Sequence, residues 1–285
     1  MKRLIVTADD FGACQAVNEA VERAHLDGIL SAASLMVGAP AAEDAVARAR
    51  RLPRLGVGLH LVLVDGKPIL PADQVDELLG PDGRFLPDMA VAGLRFAFNP
   101  RARRQLAAEI EAQFTAFATT GLGLDHVNAH KHFHLHPVIA GLIVETGRRF
   151  GARAVRVPAE PHDVLNRIER GPGSIGAALI KPWLALLRRR LVNAGIQVND
   201  HAFGIAWSGA LTEPRLLGLL RNLPDGVSEI YCHPATAQDV DGMTPGYRHV
   251  DELSALVSPA IRRLVDELGL RPVGYGDLSK PSTSP

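Results

Sequence analysis

Short apolar, strand-like runs alternate with helix-patterned stretches through most of this sequence. The runs Leu4–Val6, Ile29–Val37, Val57–Val64, Leu124–Asn128, Ala154–Val157, Glu229–Cys232 and Pro272–Tyr275 read as buried strands. Between them, Val17, Ala20, Val21 and Ala24 recur at helical spacing and Gly28 supplies a stop. Ala41–Leu52, Gln105–Thr119, Pro137–Phe150 and Ile261–Leu268 read as further helices, with Ile110, Phe114 and Phe117 sharing one face. Strand-then-helix order repeated this often points to an α/β protein, built on a parallel sheet or an α/β barrel. No shift in composition marks a linker, so 1–278 is expected to be one domain. Within it, 65–88 reads as a long loop rich in Pro, Gly and Asp, and 158–200 as an insertion; 279–285 reads as a disordered tail.

The ends of these strands carry the informative residues. Asp9 and Asp10 follow the first strand, His60 sits in or at the end of the third, Arg156 lies in a later one and His233 ends another. A histidine cluster follows the Leu124 strand, and since in α/β barrels the chemistry gathers at the carboxyl ends of the strands, five segments deliver polar groups to one edge. Five of the 11 histidines fall between His126 and His136. In an extended segment His130, His132, His134 and His136 would share a face. Imidazole is a common ligand for Zn and similar metals, and a catalytic metal usually takes three protein ligands.

Each residue also has a plainer reading. Asp9-Asp10 suits an N-cap for the next helix as well as a metal ligand beside a general base. His60 and His233, among apolar neighbours, suit core histidines. Arg156 and Glu160 suit either a structural ion pair or contact with substrate. Ile175–Leu191 combines Trp183 and Pro182 with Arg188-Arg189-Arg190; it reads as a lid or core helix with a basic end, or as a segment touching a membrane interface.

Composition narrows the function. Lys plus Arg and Asp plus Glu both number 31, and this balance argues against a dedicated nucleic-acid binder. Cys14 and Cys232 have no CxxC spacing and read as small buried hydrophobes. No Gly-rich phosphate loop and no GxSxG elbow occurs. The opening apolar run is too short for a signal peptide and no 18-residue apolar stretch exists, so a cytoplasmic protein is expected, with a homo-oligomer left open.

Thr7-Ala8-Asp9-Asp10-Phe11-Gly12, Gly58-Leu59-His60, His130-Lys131-His132-Phe133-His134 and Cys232-His233-Pro234 together resemble the YdjC-like carbohydrate deacetylases, in family order over about residues 1–277. Val62–Gly66, Asp125–Pro137 and Tyr231–Thr236 are most similar to the hopanoid biosynthesis-associated branch. The resemblance implies a deformed (β/α) TIM-like barrel in one domain. It implies one divalent metal held by Asp10, His60 and His130; by ligand type Zn is favoured, with Mg, Mn or Fe also compatible. It implies Asp9 as general base and His233 as general acid, with Arg156 orienting the sugar or the catalytic carboxylate. His132 and His134, with Glu160, would contact substrate or stand behind the ligands. The expected substrate is an acetylated amino sugar, lipid-linked in the hopanoid branch, with peripheral membrane contact through 175–191. A deacetylase of soluble chito-oligosaccharides, another metal hydrolase, and a non-catalytic sugar- or metal-binding barrel are the alternatives. Asn128 and Ala235 stand where many members of the family have Asp and Gly.

Overall fold

The first strand, β1 (Lys2–Phe11), is buried from Leu4 to Phe11 without alternation, as expected of a strand covered on both faces. It is central in a six-stranded parallel sheet of order β4-β3-β2-β1-β6-β5. In chain order the elements are β1, α1 (Gln15–Asp27), β2 (Ala32–Leu35), α2 (Ala42–Ala49), β3 (Gly56–Leu61), α3 (Met89–Phe98), α4 (Pro100–Thr119) and β4 (Val127–Ala129). After these come α5 (Pro137–Arg149), α6 (His162–Ile168), α7 (Ile175–Asn193), β5 (His201–Phe203), α8 (Glu213–Arg221), β6 (Gly226–Cys232), α9 (His249–Leu256) and α10 (Pro259–Glu267). The computed structural model describes residues 2–169, 175–240 and 243–278.

The sheet curls into a half barrel rather than a full TIM barrel. Its end strands β4 and β5 are linked by single bridges, Val127 to Val155 and Ala154 to Gln197, and by a bond from Ala202 N–H to Ala159 O. The strand expected at 154–157 is therefore only a pair of bridges. The last expected strand is likewise one bridge, Leu4 to Pro272, before a 3-10 turn at Tyr275–Asp277. The second strand is confined to Ala32–Leu35, and the helix expected from Gln105 begins at Pro100, capped by the Asn99 side chain. The loop 65–88 contains two 3-10 turns, Ala72–Gln74 and Asp76–Leu78, and the insertion 158–200 contains α6 and α7. The tail 279–285 lies outside the described residues.

Helical spacing serves the core as expected. Val17, Ala20, Val21 and Ala24 of α1 and Ile110, Phe114 and Phe117 of α4 are all buried. Register then places the chemistry. His60 pairs with Asn128, Ala8 with Cys232 and Phe11 with Leu35. All the strands run the same way, so Asp9, Asp10, His60, Asn128 and His233 arrive at one edge of the sheet.

Candidate metal centre

Asp10 has φ +62°, in the left-handed region that residues other than Gly, Asn and Asp rarely occupy. The strand's register shifts between Ala8 and Phe11, just where it delivers two carboxylates, and they lie on opposite sides of the His60 ring. Asp9 Oδ1 is 4.0 Å from Nδ1, and Asp10 Oδ1 is 3.3 Å from Nε2. The capping reading of this pair does not hold: the N-cap of α1 is Cys14, with no side-chain bond.

Hydrogen bonding fixes the state of His60. Asn128 Nδ2 reaches Asp9 Oδ1 at 3.0 Å, and a carboxylate can only accept, so this atom is the amide nitrogen. Asn128 Oδ1 therefore faces His60 Nδ1 at 2.7 Å, and Nδ1 donates. In the neutral ring Nε2 is then a bare lone pair, buried, with no hydrogen-bond partner, facing an oxygen of Asp10. Two acceptors in that position repel unless a cation lies between them. His130 Nδ1 is 3.2 Å from the same oxygen. The three donor atoms lie within 4.8 Å of one another, and the set of two imidazoles and a carboxylate fits a divalent ion.

Burial alone would raise Asp10, but the charge of His130 and its hydrogen bond hold it well below the usual carboxylate range. Burial alone would lower His130, and the Asp10 charge more than offsets this and raises it. Asp9 is also buried, and Arg156 overcomes the burial penalty to hold it far below the ordinary range, so it stays ionised.

Arg156 is 0% exposed and divides its guanidinium between two carboxylates. It meets Asp9 at 2.5 and 3.0 Å and Glu229 at 2.8 and 2.9 Å, and stacks over the Tyr231 ring at 4.6 Å. Of its two plainer readings the structure shows the ion pair, shared between Asp9 and Glu229. Glu160 accepts the N–H groups of Gly204, Ile205 and Ala206, so it pins the turn after β5.

The histidine run is not extended. It forms a 3-10 turn, His130–Leu135, with Lys131 and His132 in the left-handed region, and the shared face expected for these histidines does not form. His132 Nε2 meets Tyr231 Oη at 3.0 Å, and His134 Nε2 meets the carbonyl of Arg156 at 3.0 Å. Burial and then Arg156 push His134 down to about 3, so it is neutral. Neither histidine belongs to the trio.

His233 is held through its backbone by α9. Its N–H donates to Glu252 at 2.5 Å, and its carbonyl faces His249 Nδ1 at 2.5 Å. Burial lowers His233 more than Asp10 and Asp9 raise it, so the ring rests neutral.

Beneath the trio runs a polar chain that motif spacing does not show. Asn128 Nδ2 also donates to Ser34 Oγ at 2.9 Å, and Ser34 Oγ meets His126 Nε2 at 2.9 Å. His126 Nδ1 meets Asp125 Oδ2 at 2.9 Å, and Asp125 accepts the N–H groups of Tyr275 and Gly276. The one sequence signal for Ser34, Glu229 and Glu252 is a polar residue inside an apolar pattern. Above the trio opens a cleft of about 840 Å³, walled by Asp10, His130, Lys131 and, from the 65–88 loop, Lys67, Arg84 and Phe85.

The YdjC-like protein family matches residues 3–267. The chain belongs to this family. Among its relatives is a mouse (Mus musculus) protein named carbohydrate deacetylase, 30% identical over 97% of this chain and 94% of its own. Another, of the same name, from Geobacillus stearothermophilus, is also 30% identical, over 97% and 98%. A crystal structure from Enterococcus faecalis V583, described by a role in cellobiose-phosphate cleavage, superposes with TM-score 0.76 and 25% identity, covering 97% of this chain and 98% of that one. As a YdjC-like protein the chain places two ligand-type imidazoles, a shared carboxylate and a second, Arg-locked carboxylate around one point, an arrangement suited to activating water against a polarised carbonyl. Among the described residues no helix is long and apolar enough to cross a membrane.

Proposed function

We propose that this protein is a metal-dependent N-deacetylase that removes the acetyl group from an N-acetylglucosamine-type sugar, with a lipid-linked acceptor, an N-acetylglucosaminyl hopanoid. The reaction class is supported by the relatives named carbohydrate deacetylase. The observation that carries the mechanism is the facing pair of acceptors, His60 Nε2 and Asp10 Oδ1, with His130 beside them. The hopanoid acceptor is supported by the similarity of 62–66, 125–137 and 231–236 to that branch.

Asp10, His60 and His130 would hold a divalent ion, which when bound would supply Lewis-acid polarisation of the amide carbonyl and acidify water. Zn and Fe suit the two imidazoles, and Mg and Mn suit the carboxylate. Asp9, kept ionised and fixed in orientation by Arg156 and Asn128, takes the proton of the attacking water. The water oxygen bonds to the carbonyl carbon and the C–N bond breaks. An amine leaves only when protonated, and His233 delivers that proton to the nitrogen. His233 rests neutral, so the proton it delivers is one it first takes up from solvent, while Asp9 returns the water's proton to solvent. The products are acetate and the free amino sugar.

The test is acetate release from an N-acetylglucosaminyl hopanoid and from a soluble chito-oligosaccharide, by wild type and Asp9→Asn, with metal content measured in both. Hopanoid turnover by wild type alone, with metal kept in the variant, is the expected result. Turnover of the oligosaccharide only would move the acceptor to soluble sugars. No release from either would overturn the deacetylase reading.

A further inference from the structure

Helix α3, Met-Ala-Val-Ala-Gly-Leu-Arg-Phe-Ala-Phe, is apolar nearly all the way round, with Arg95 its one charge. Ala92, Gly93 and Phe96 are buried against the protein. On the opposite face Val91, Leu94 and Phe98, at i, i+3 and i+7, are 47%, 61% and 80% exposed. A helix of this composition is normally covered on every side. Beside it lies a shallow apolar groove of about 490 Å³ between the start of α3 and α7, with Met89, Phe133, Leu135, Ile180 and Trp183 in its lining. Lys131 lines both this groove and the metal cleft, so the apolar surface runs up to the mouth of the site.

Charge indicates what covers this surface. The whole chain is balanced at 31 basic and 31 acidic residues, but the two elements flanking the groove are not. Residues 89–108 carry Arg95, Arg101, Arg103 and Arg104 and no acid; residues 175–193 carry Lys181, Arg188, Arg189 and Arg190 and no acid. Arg101 and Arg188 meet Asp76 and Asp200 from elsewhere in the chain, while Arg104, Lys181 and Arg189 are exposed. Trp183 has its indole N–H on the Leu135 carbonyl at 2.8 Å and Arg190 over its ring at 5.7 Å. Exposed apolar anchors, a Trp at their edge and basic residues of one sign make up the chemistry of an interfacial helix. A second copy of this chain would bring the same positive charge against itself.

We infer that α3 and α7 form a docking surface for an anionic lipid bilayer, which brings the mouth of the metal cleft to the membrane face. The inference rests on the lipid-linked reading of the acceptor and gives it a physical route: the sugar enters the cleft while its apolar part stays in the bilayer and the groove.

The experiment is flotation of the full chain with phosphatidylcholine vesicles, with and without roughly a third phosphatidylglycerol. Wild type should float with the anionic vesicles, and L94D/F98D should bind them at least about tenfold more weakly. R104E/K181E/R189E should lose the preference for anionic lipid. Both variants should unfold thermally at the wild-type midpoint, which shows that they fold. Wild type left unbound at low salt, or equal binding by L94D/F98D, would overturn the inference. So would a wild-type dimer that L94D/F98D dissociates, with no vesicle binding, since a second copy would then cover the face. Activity on the lipid-linked sugar in detergent is scored separately. Its absence alongside intact vesicle binding would count against the acceptor and leave the docking surface standing.

Discussion

Replacing Arg156 by Met isolates the energetics of the site from its chemistry. The side chain has similar length and stays apolar, but four charge-assisted contacts of 2.5–3.0 Å disappear. Two fully buried carboxylates remain. Glu229 keeps the hydroxyls of Thr7 and Tyr275, both at 2.7 Å, and Asp9 keeps the amide of Asn128 at 3.0 Å. Breaking a buried ion pair from one side costs about 3–5 kcal/mol, and the surviving neutral donors place this variant near the middle, at about 4 kcal/mol. That is a large share of the roughly 5–15 kcal/mol that holds a domain together. Arg156 holds Glu229 below its ordinary value against the burial that would raise it. Without the cation Glu229 becomes harder to ionise, so the loss should shrink as pH falls. Urea unfolding of wild type, Arg156→Met and Arg156→Met/Glu229→Gln at neutral and mildly acidic pH measures this directly. The double variant should be more stable than the single one. A single variant within about 1 kcal/mol of wild type, or a double variant less stable than the single, would refute the reasoning.

Asn128→Leu removes the acceptor that holds the His60 proton on Nδ1, and metal affinity by calorimetric titration should fall about 10- to 100-fold; a change under about twofold would show that the tautomer is set elsewhere. Gly58→Ala places a methyl 2.5 Å from the His126 ring. Nothing there is the end of a flexible chain, so unfolding experiments should show a loss of about 1–3 kcal/mol, and a neutral result would mean that His126 can move freely. Burial pushes Glu252 up from 4.5 to about 7 despite the N–H groups of Leu211 and His233. The folded state therefore keeps this proton longer than the unfolded chain, and stability falls as pH rises from about 4.5 to about 7, by about 3 kcal/mol in all. The stability gap between wild type and Glu252→Gln should change by that amount between pH values below and above this window, and a constant gap would sink the assignment.

The alternation of strands and helices was readable because it leaves periodic marks, whereas Asp10, His60 and His130 were singled out as a ligand set through the family resemblance. An unbroken apolar run marks a strand covered on both faces, and residues at the carboxyl ends of parallel strands share an edge. Helix α3 left no such mark, since a segment apolar on every side has no helical rhythm to detect. The short run at 272–275 looked like a strand because apolar runs of that length do not distinguish a strand from a single bridge and a turn. The histidine run has another shape than an extended segment because Lys131 and His132 take positive φ, which an alternation of side chains along the sequence does not reveal. Ser34, Glu229 and Glu252 were missed for another reason: a lone polar residue in an apolar stretch shows that it needs a partner, but not which one.

The polar chain from Asp9 through Asn128, Ser34 and His126 to Asp125 ends on the backbone of Tyr275 and Gly276, within the last of the described residues. Tyr275 also places its hydroxyl on Glu229, the residue that shares Arg156 with Asp9. All three candidate ligands leave the ribosome long before that segment does, but the groups that orient them are anchored by it. A growing chain therefore carries the ligand set without its final alignment, and the order of synthesis itself delays a working site until the rest of the protein has been made and folded around it.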